Sequence, residues 1–117
     1  MVFDFEKFPV YKLALGYAKQ AEDLLIQLDL PKTSRIADQL SRASLSISLN
    51  IAEGAGRYSK ADKKHFYITA RGSVFECVAI LDVLLAKAKI DLAIRAKQYA
   101  ILEELSKMLS GLINSQK

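Results

Sequence analysis

The sequence predicts an all-α protein, an antiparallel up-down-up-down four-helix bundle. Three observations carry that expectation. Apolar residues recur at three- and four-residue spacing along nearly the whole chain, no window alternates with period two for long enough to make a strand, and only short joints interrupt the pattern. Helices of about 20 to 30 residues joined so briefly must run antiparallel to their neighbours. The 117 residues suffice for one domain, residues 1–117, with a core that needs no staples.

The first helix is expected over about residues 8–29, on the stripe Val10, Leu13, Ala14, Tyr17, Ala21, Leu24 and Leu28. Pro9 sits where a first-turn proline is tolerated, and Pro31 follows the end. The second, over 33–57, carries Ile36, Leu40, Ala43, Ile47, Asn50, Ile51 and Gly54, with Thr33 or Ser34 as its cap. The third, over 59–89, opens on Ser59 with Asp62 at capping-box spacing and buries Phe66, Ala70, Ser73, Cys77, Leu81, Leu84 and Ala88. The fourth, over 91–114, carries Ile94, Ile101, Leu105, Met108 and Leu112.

Composition removes several classes of function. Apolar residues at 51% and charged residues at 26% exclude disorder as the main state. One cysteine excludes an intrachain disulfide and a cysteine-based zinc site. The central apolar run Cys77–Leu81 is far shorter than the roughly 18 residues of a membrane span. Acids stand near the N-terminus where a signal peptide would carry bases, so a cytoplasmic protein without membrane partners is expected.

Catalysis finds little support. The single histidine, His65, has only Asp62 three residues before it, whereas a di-iron bundle needs two Glu-x-x-His motifs. The serines at four-residue steps, Ser44 and Ser48 with Leu40, Ala52 and Gly56, read as a close-packing ridge. Glu53 to Arg57 lies at a helix end rather than after a strand, so its glycines are no dinucleotide fingerprint. No metal, cofactor, small-molecule substrate or catalytic residue is expected.

Charge and surface apolarity point toward binding. The net charge is +4, and residues 59–89 hold six bases against three acids. On a helical wheel Lys60, Lys63, Lys64, Tyr67 and Arg71 fall within a strip about 100° wide. Such a strip suits a phosphate backbone, with the tyrosine free to stack on a base. Arg35 and Arg42 on the second helix could lie near it. A solvated lysine face would give the same pattern. Behind the core stripes stand two apolar seams, Leu45, Leu49 and Ala52 on the second helix and Ile68, Phe75 and Ala79 on the third. Contiguous exposed apolar area marks interfaces, and two unlike patches make heterologous contacts that close into a ring.

Two strings stand out beside Phe8-Pro9-Val10-Tyr11-Lys12. They are Ser48-Leu-Asn-Ile-Ala-Glu-Gly-Ala-Gly-Arg57 and Phe66-Tyr-Ile-Thr-Ala-Arg-Gly-Ser-Val-Phe-Glu76. Together they resemble the bacterial four-helix-bundle family encoded in intervening sequences of 23S ribosomal RNA, to which the accessory variability determinant protein of diversity-generating retroelements is similar. The matching positions are Asn50, Glu53, Gly54, Gly56, Arg57, Arg71, Gly72, Ser73 and Glu76; Val74-Phe75 stands where aliphatic pairs are common. The resemblance implies a non-enzymatic homopentameric ring with a positively lined centre, and nucleic acid or a reverse transcriptase as partner. Two readings follow: an oligomer that binds RNA or DNA through a basic face, or a protein-interaction scaffold or accessory subunit that touches no nucleic acid.

Overall fold

The computed structural model describes residues 3–117. A 3₁₀ turn, Asp4–Lys7, leads into four helices: α1 Pro9–Leu28, α2 Arg35–Ala55, α3 Lys60–Ala86 and α4 Leu92–Asn114. Each start has a local cause. Pro9 occupies the first turn of α1. The Ser34 hydroxyl accepts from the Ala37 N–H, Ser59 from Asp62 and Asp91 from Ile94, so α2, α3 and α4 each begin on a side-chain cap. The ends are as specific. Asp29 closes α1 at φ 47°, and Ala88 turns the chain after α3 at φ 57°. That left-handed residue stops α3 at Ala86, three residues short of the expected end, and leaves Ala88 exposed instead of in the core.

The contacts run in opposite directions along each neighbouring pair. Going up α2, Gln39, Ser46 and Gly54 meet Glu76, Ser73 and Tyr67, going down α3. Asp82 and Arg71 on α3 meet Arg95 and Ser110 on α4, and Glu22 of α1 accepts from Ser41 of α2. The bundle is therefore antiparallel and about 44 Å long. Each helix packs on two neighbours, and α2 against α3 is the most extensive pairing.

The core is aliphatic, with Leu40, Ile47 and Ile51 of α2 facing Leu81, Leu84 and Val74 of α3 and Leu102, Leu105 and Leu109 of α4. Tyr17 and Cys77 are buried together at its middle. On α3 the expected Ala70, Ser73, Cys77, Leu81 and Leu84 are buried, and the buried face is wider than the stripe: Tyr67, Val74 and Ile80 are also inside, while Phe66 is half-buried. Over 27 residues a stripe drawn at a fixed angle drifts, and α3 buries both flanks against α2 and α4. The α2–α3 approach is close enough to demand glycine. A Cβ on Gly54 would sit 2.7 Å from Tyr67 Cε1. At the chain start, Phe5 stacks edge-on against Tyr11 with ring centroids 4.9 Å apart. Among the described residues no helix is long and apolar enough to cross a membrane.

Candidate nucleic-acid interface

The strip of α3 that holds Lys60, Lys63, Lys64, Tyr67 and Arg71 points partly inward, and the structure divides it. Tyr67 is 2% exposed and belongs to the core, so it is corrected from a base-stacking ring to a packing residue. The cause is geometric: Tyr67, Ala70 and Val74 share one buried side of α3, and the Tyr67 ring lies against Gly54 of α2. Lys60 and Lys63 occupy the same flank one turn earlier, at the end of the bundle. Because α2 and α4 are antiparallel to α3, their C-termini arrive there. Lys63 Nζ donates to the Ala55 carbonyl at 3.0 Å, and the Lys60 ammonium donates to the terminal residue's Lys117 oxygen. Cations are favoured at helix C-termini, which offsets their repulsion by the α3 N-terminus. Lys60 and Lys64 are both exposed, and among the described residues Lys64 alone of the three lysines has no hydrogen-bond acceptor.

Arg71 leaves the strip sideways. Its Nε donates to Ser110 Oγ at 3.0 Å, and its guanidinium lies 4.6 Å from the Phe75 ring centroid, at the edge of the α3–α4 groove. Arg42 pairs with Asp38 at 2.9 Å on the outer face of α2. Arg35 lies at the opposite end from Lys60, separated by the length of α2, about 30 Å. The structure thus does not gather the seven expected residues into one face.

The motif residues hold α2 to α3. Asn50 Nδ2 donates to the Ser46 carbonyl and hydroxyl, both at 2.9 Å, and Ser46 Oγ bonds Ser73 Oγ at 2.9 Å. Gln39 donates to Glu76 at 2.9 Å. Arg57 reaches Glu53 at 3.2 Å and covers the Phe66 ring at 4.5 Å. Gly56 takes a right-handed conformation at the end of α2, and Gly72 is exposed with open space above it. Ser44 and Ser48 are buried and return their hydroxyls to backbone carbonyls of α2, as packing residues do.

The seams separate into exposed and covered parts. Leu45, Leu49, Ile68 and Phe75 are each at least 50% exposed. Ala52 is half-buried and lines a hollow with Phe3, Phe5 and Phe8, so the N-terminal aromatics withdraw it from the α2 seam. Phe75 and Ala79 border an α3–α4 groove of roughly 430 Å³ that Tyr99, Glu103 and Lys107 complete. Arg95 sits 4.9 Å from the Tyr99 ring and 2.7 Å from Asp82. Periodicity drew attention to Phe75 but not to its α4 partner Tyr99, which has no seam of its own in sequence.

At the far end the structure assembles what the sequence did not. Lys32 from the α1–α2 joint, Arg35 at the start of α2, and Lys87 and Lys89 from the α3–α4 joint are all exposed, and none makes an ion pair among the described residues. Among the described residues no cluster of His, Cys, Asp or Glu could hold a metal ion, and exposed His65 packs its ring against Phe66.

Fold and surface define the class, an antiparallel four-helix bundle whose polar chemistry is carried on its outer faces and ends. The model of the 23S rRNA-intervening sequence protein family matches residues 6–111, and the chain belongs to that family. A crystal structure of a protein of unknown function from the S23 ribosomal protein family of Bacteroides thetaiotaomicron has the same fold. Its TM-score is 0.84 at 23% identity, over 90% of this chain and 95% of that one. No curated protein matches the sequence.

Proposed function

We propose that this protein is a non-enzymatic homo-oligomer, a pentamer, that binds nucleic acid through basic surface. The observation that carries the reading is unspent charge. Among the described residues, only Lys19, Arg42, Arg57 and Arg95 of the 17 Lys and Arg residues are held in ion pairs, and the formal net charge is +4. Membership in a family described by 23S rRNA makes RNA the first ligand to test. RNA affinity should fall linearly with salt on a log–log plot. No binding at low salt would remove the reading.

Self-association is supported by Leu45 and Leu49 on α2 and by Ile68 and Phe75 on α3, two exposed apolar patches of different shape. Five subunits of 13.0 kDa make about 65 kDa. Phe75→Asp should give monomers by light scattering with helical circular dichroism retained. A 65 kDa species in that variant, or a monomeric wild type, would contradict the seam. A second reading, a scaffold or accessory subunit for a protein such as a reverse transcriptase, draws on the same apolar patches. Recovery of a protein partner after nuclease treatment would favour it.

A further inference from the structure

We infer that the end of the bundle made by the α1–α2 and α3–α4 joints grips nucleic-acid phosphates, and that it reads backbone and not bases. The inference rests on the nucleic-acid reading above and gives it a place. Arg35, Lys87 and Lys89 rim one open concavity of roughly 590 Å³ with Thr33, Ser34 and Gln39, over an apolar floor that includes Ile36, Val83 and Leu84, and Lys32 stands in the joint that leads to Arg35. Two segments more than fifty residues apart in sequence supply these cations, and only the antiparallel topology unites them.

Among the described residues no acid lines the concavity, and Glu76, beside it, accepts from the lining Gln39 at 2.9 Å. The acids nearest in sequence are Asp29, Asp38 and Asp91. Asp38 is held by Arg42, and Asp91 accepts the Ile94 N–H at the start of α4; Asp29 is exposed at the end of α1. The cations are also carried on fixed backbone. Lys87 N donates to the Val83 carbonyl at 3.0 Å and Lys89 N to Leu84 at 2.9 Å, around left-handed Ala88. An arginine fork and two ammonium groups around one hollow suit phosphodiester oxygens. No aromatic ring lines it, so nothing there stacks on a base. Binding should be indifferent to sequence and steep in salt.

The test is fluorescence anisotropy with a labelled single-stranded RNA of about 20 nucleotides, in mixed and homopolymer sequences. The variant R35Q/K87Q/K89Q is set against K12Q/K97Q/K107Q, which removes equal charge from exposed lysines elsewhere. Circular dichroism of both should match the wild type, since all six residues are exposed. The end variant should lose at least ~10-fold in affinity at roughly 100 mM salt, and its salt slope should flatten by about two to three. The control should change by less than ~3-fold. Equal losses in the two variants would overturn the site while leaving nucleic-acid binding standing. A wild type that binds no RNA at low salt would overturn the function itself. Affinities differing by more than ~10-fold among sequences would overturn backbone-only recognition.

Discussion

The two ends of the bundle carry similar numbers of cations and use them differently. At the end where α3 begins, Lys63 reaches the last carbonyl of α2, and Lys60 reaches the oxygen of Lys117, just past α4. At the other end, the side chains of Lys32, Arg35, Lys87 and Lys89 have no hydrogen-bond or ion-pair partner among the described residues. The difference follows from helix direction. In an antiparallel bundle, lysines in the first turn of one helix stand beside the last turn of its neighbours, whose carbonyls take them up. Lysines in the joints reach no such carbonyls. A cation count along a wheel therefore says little about free charge until the neighbours' directions are known.

Tyr67, at the centre of the α3 strip, separates a packing surface from a binding one most strongly. Tyr67→Ala should cost about 3–5 kcal/mol in denaturant unfolding, whereas Tyr67→Leu, which removes the ring and keeps the bulk, should leave the RNA affinity of the folded protein unchanged. A binding loss in Tyr67→Leu at unchanged stability would return the ring to the surface.

Alkali acts on the middle, where both ends share one core. Burial pushes the Cys77 thiol up to about 12, with Glu76 adding to the rise and the Tyr17 hydroxyl opposing it. Burial likewise lifts the Tyr17 phenol well above its usual range. Both folded-state values exceed the unfolded ones, so the unfolded chain loses protons first and stability falls as pH rises. The fall should begin near the unfolded thiol value, 9.0, and reach roughly 4 kcal/mol by about pH 11, about two-thirds of it from the thiol and the rest from the phenol. Cys77→Ala should delay its onset to near the ordinary tyrosine value, 10.0. A flat profile to pH 11 would contradict the burial of both groups.

Ala88 sharpens the far end. Its left-handed backbone suits glycine, so Ala88→Gly should stabilise by about 1 kcal/mol while loosening the turn between Lys87 and Lys89. Calorimetry checks the first effect, and destabilisation would mean that the turn is not strained.

Much of the fold was legible because it is written locally. Pro9, Ser34, Ser59 and Asp91 each mark a helix start within a few residues, and the α2 stripe from Leu40 to Ile51 is one clean face. On α4 the stripe was less legible, since Gln98, Leu102 and Leu109 are its buried residues beside Leu105. A glutamine inside and exposed Tyr99 outside both defeat a reading by hydropathy. The candidate site was the least legible part. The strip on α3 looked like a surface because its lysines outnumber its core residues in the first turns. The far-end cations never share a helix face, so no periodicity links Arg35 to Lys87.

On the proposed division, lysines at one end maintain the fold and cations at the other bind. The most direct measurement is a pair of readouts, unfolding free energy and RNA salt slope, on Lys63→Met and on R35Q/K87Q/K89Q. Lys63→Met should lose about 1 kcal/mol of stability with its salt slope unchanged, because it removes one carbonyl partner at the end of α2. The triple variant should keep its stability within about 0.5 kcal/mol and lose slope. The reverse assignment, in which Lys63→Met flattens the slope and the triple variant unfolds more easily, would contradict it.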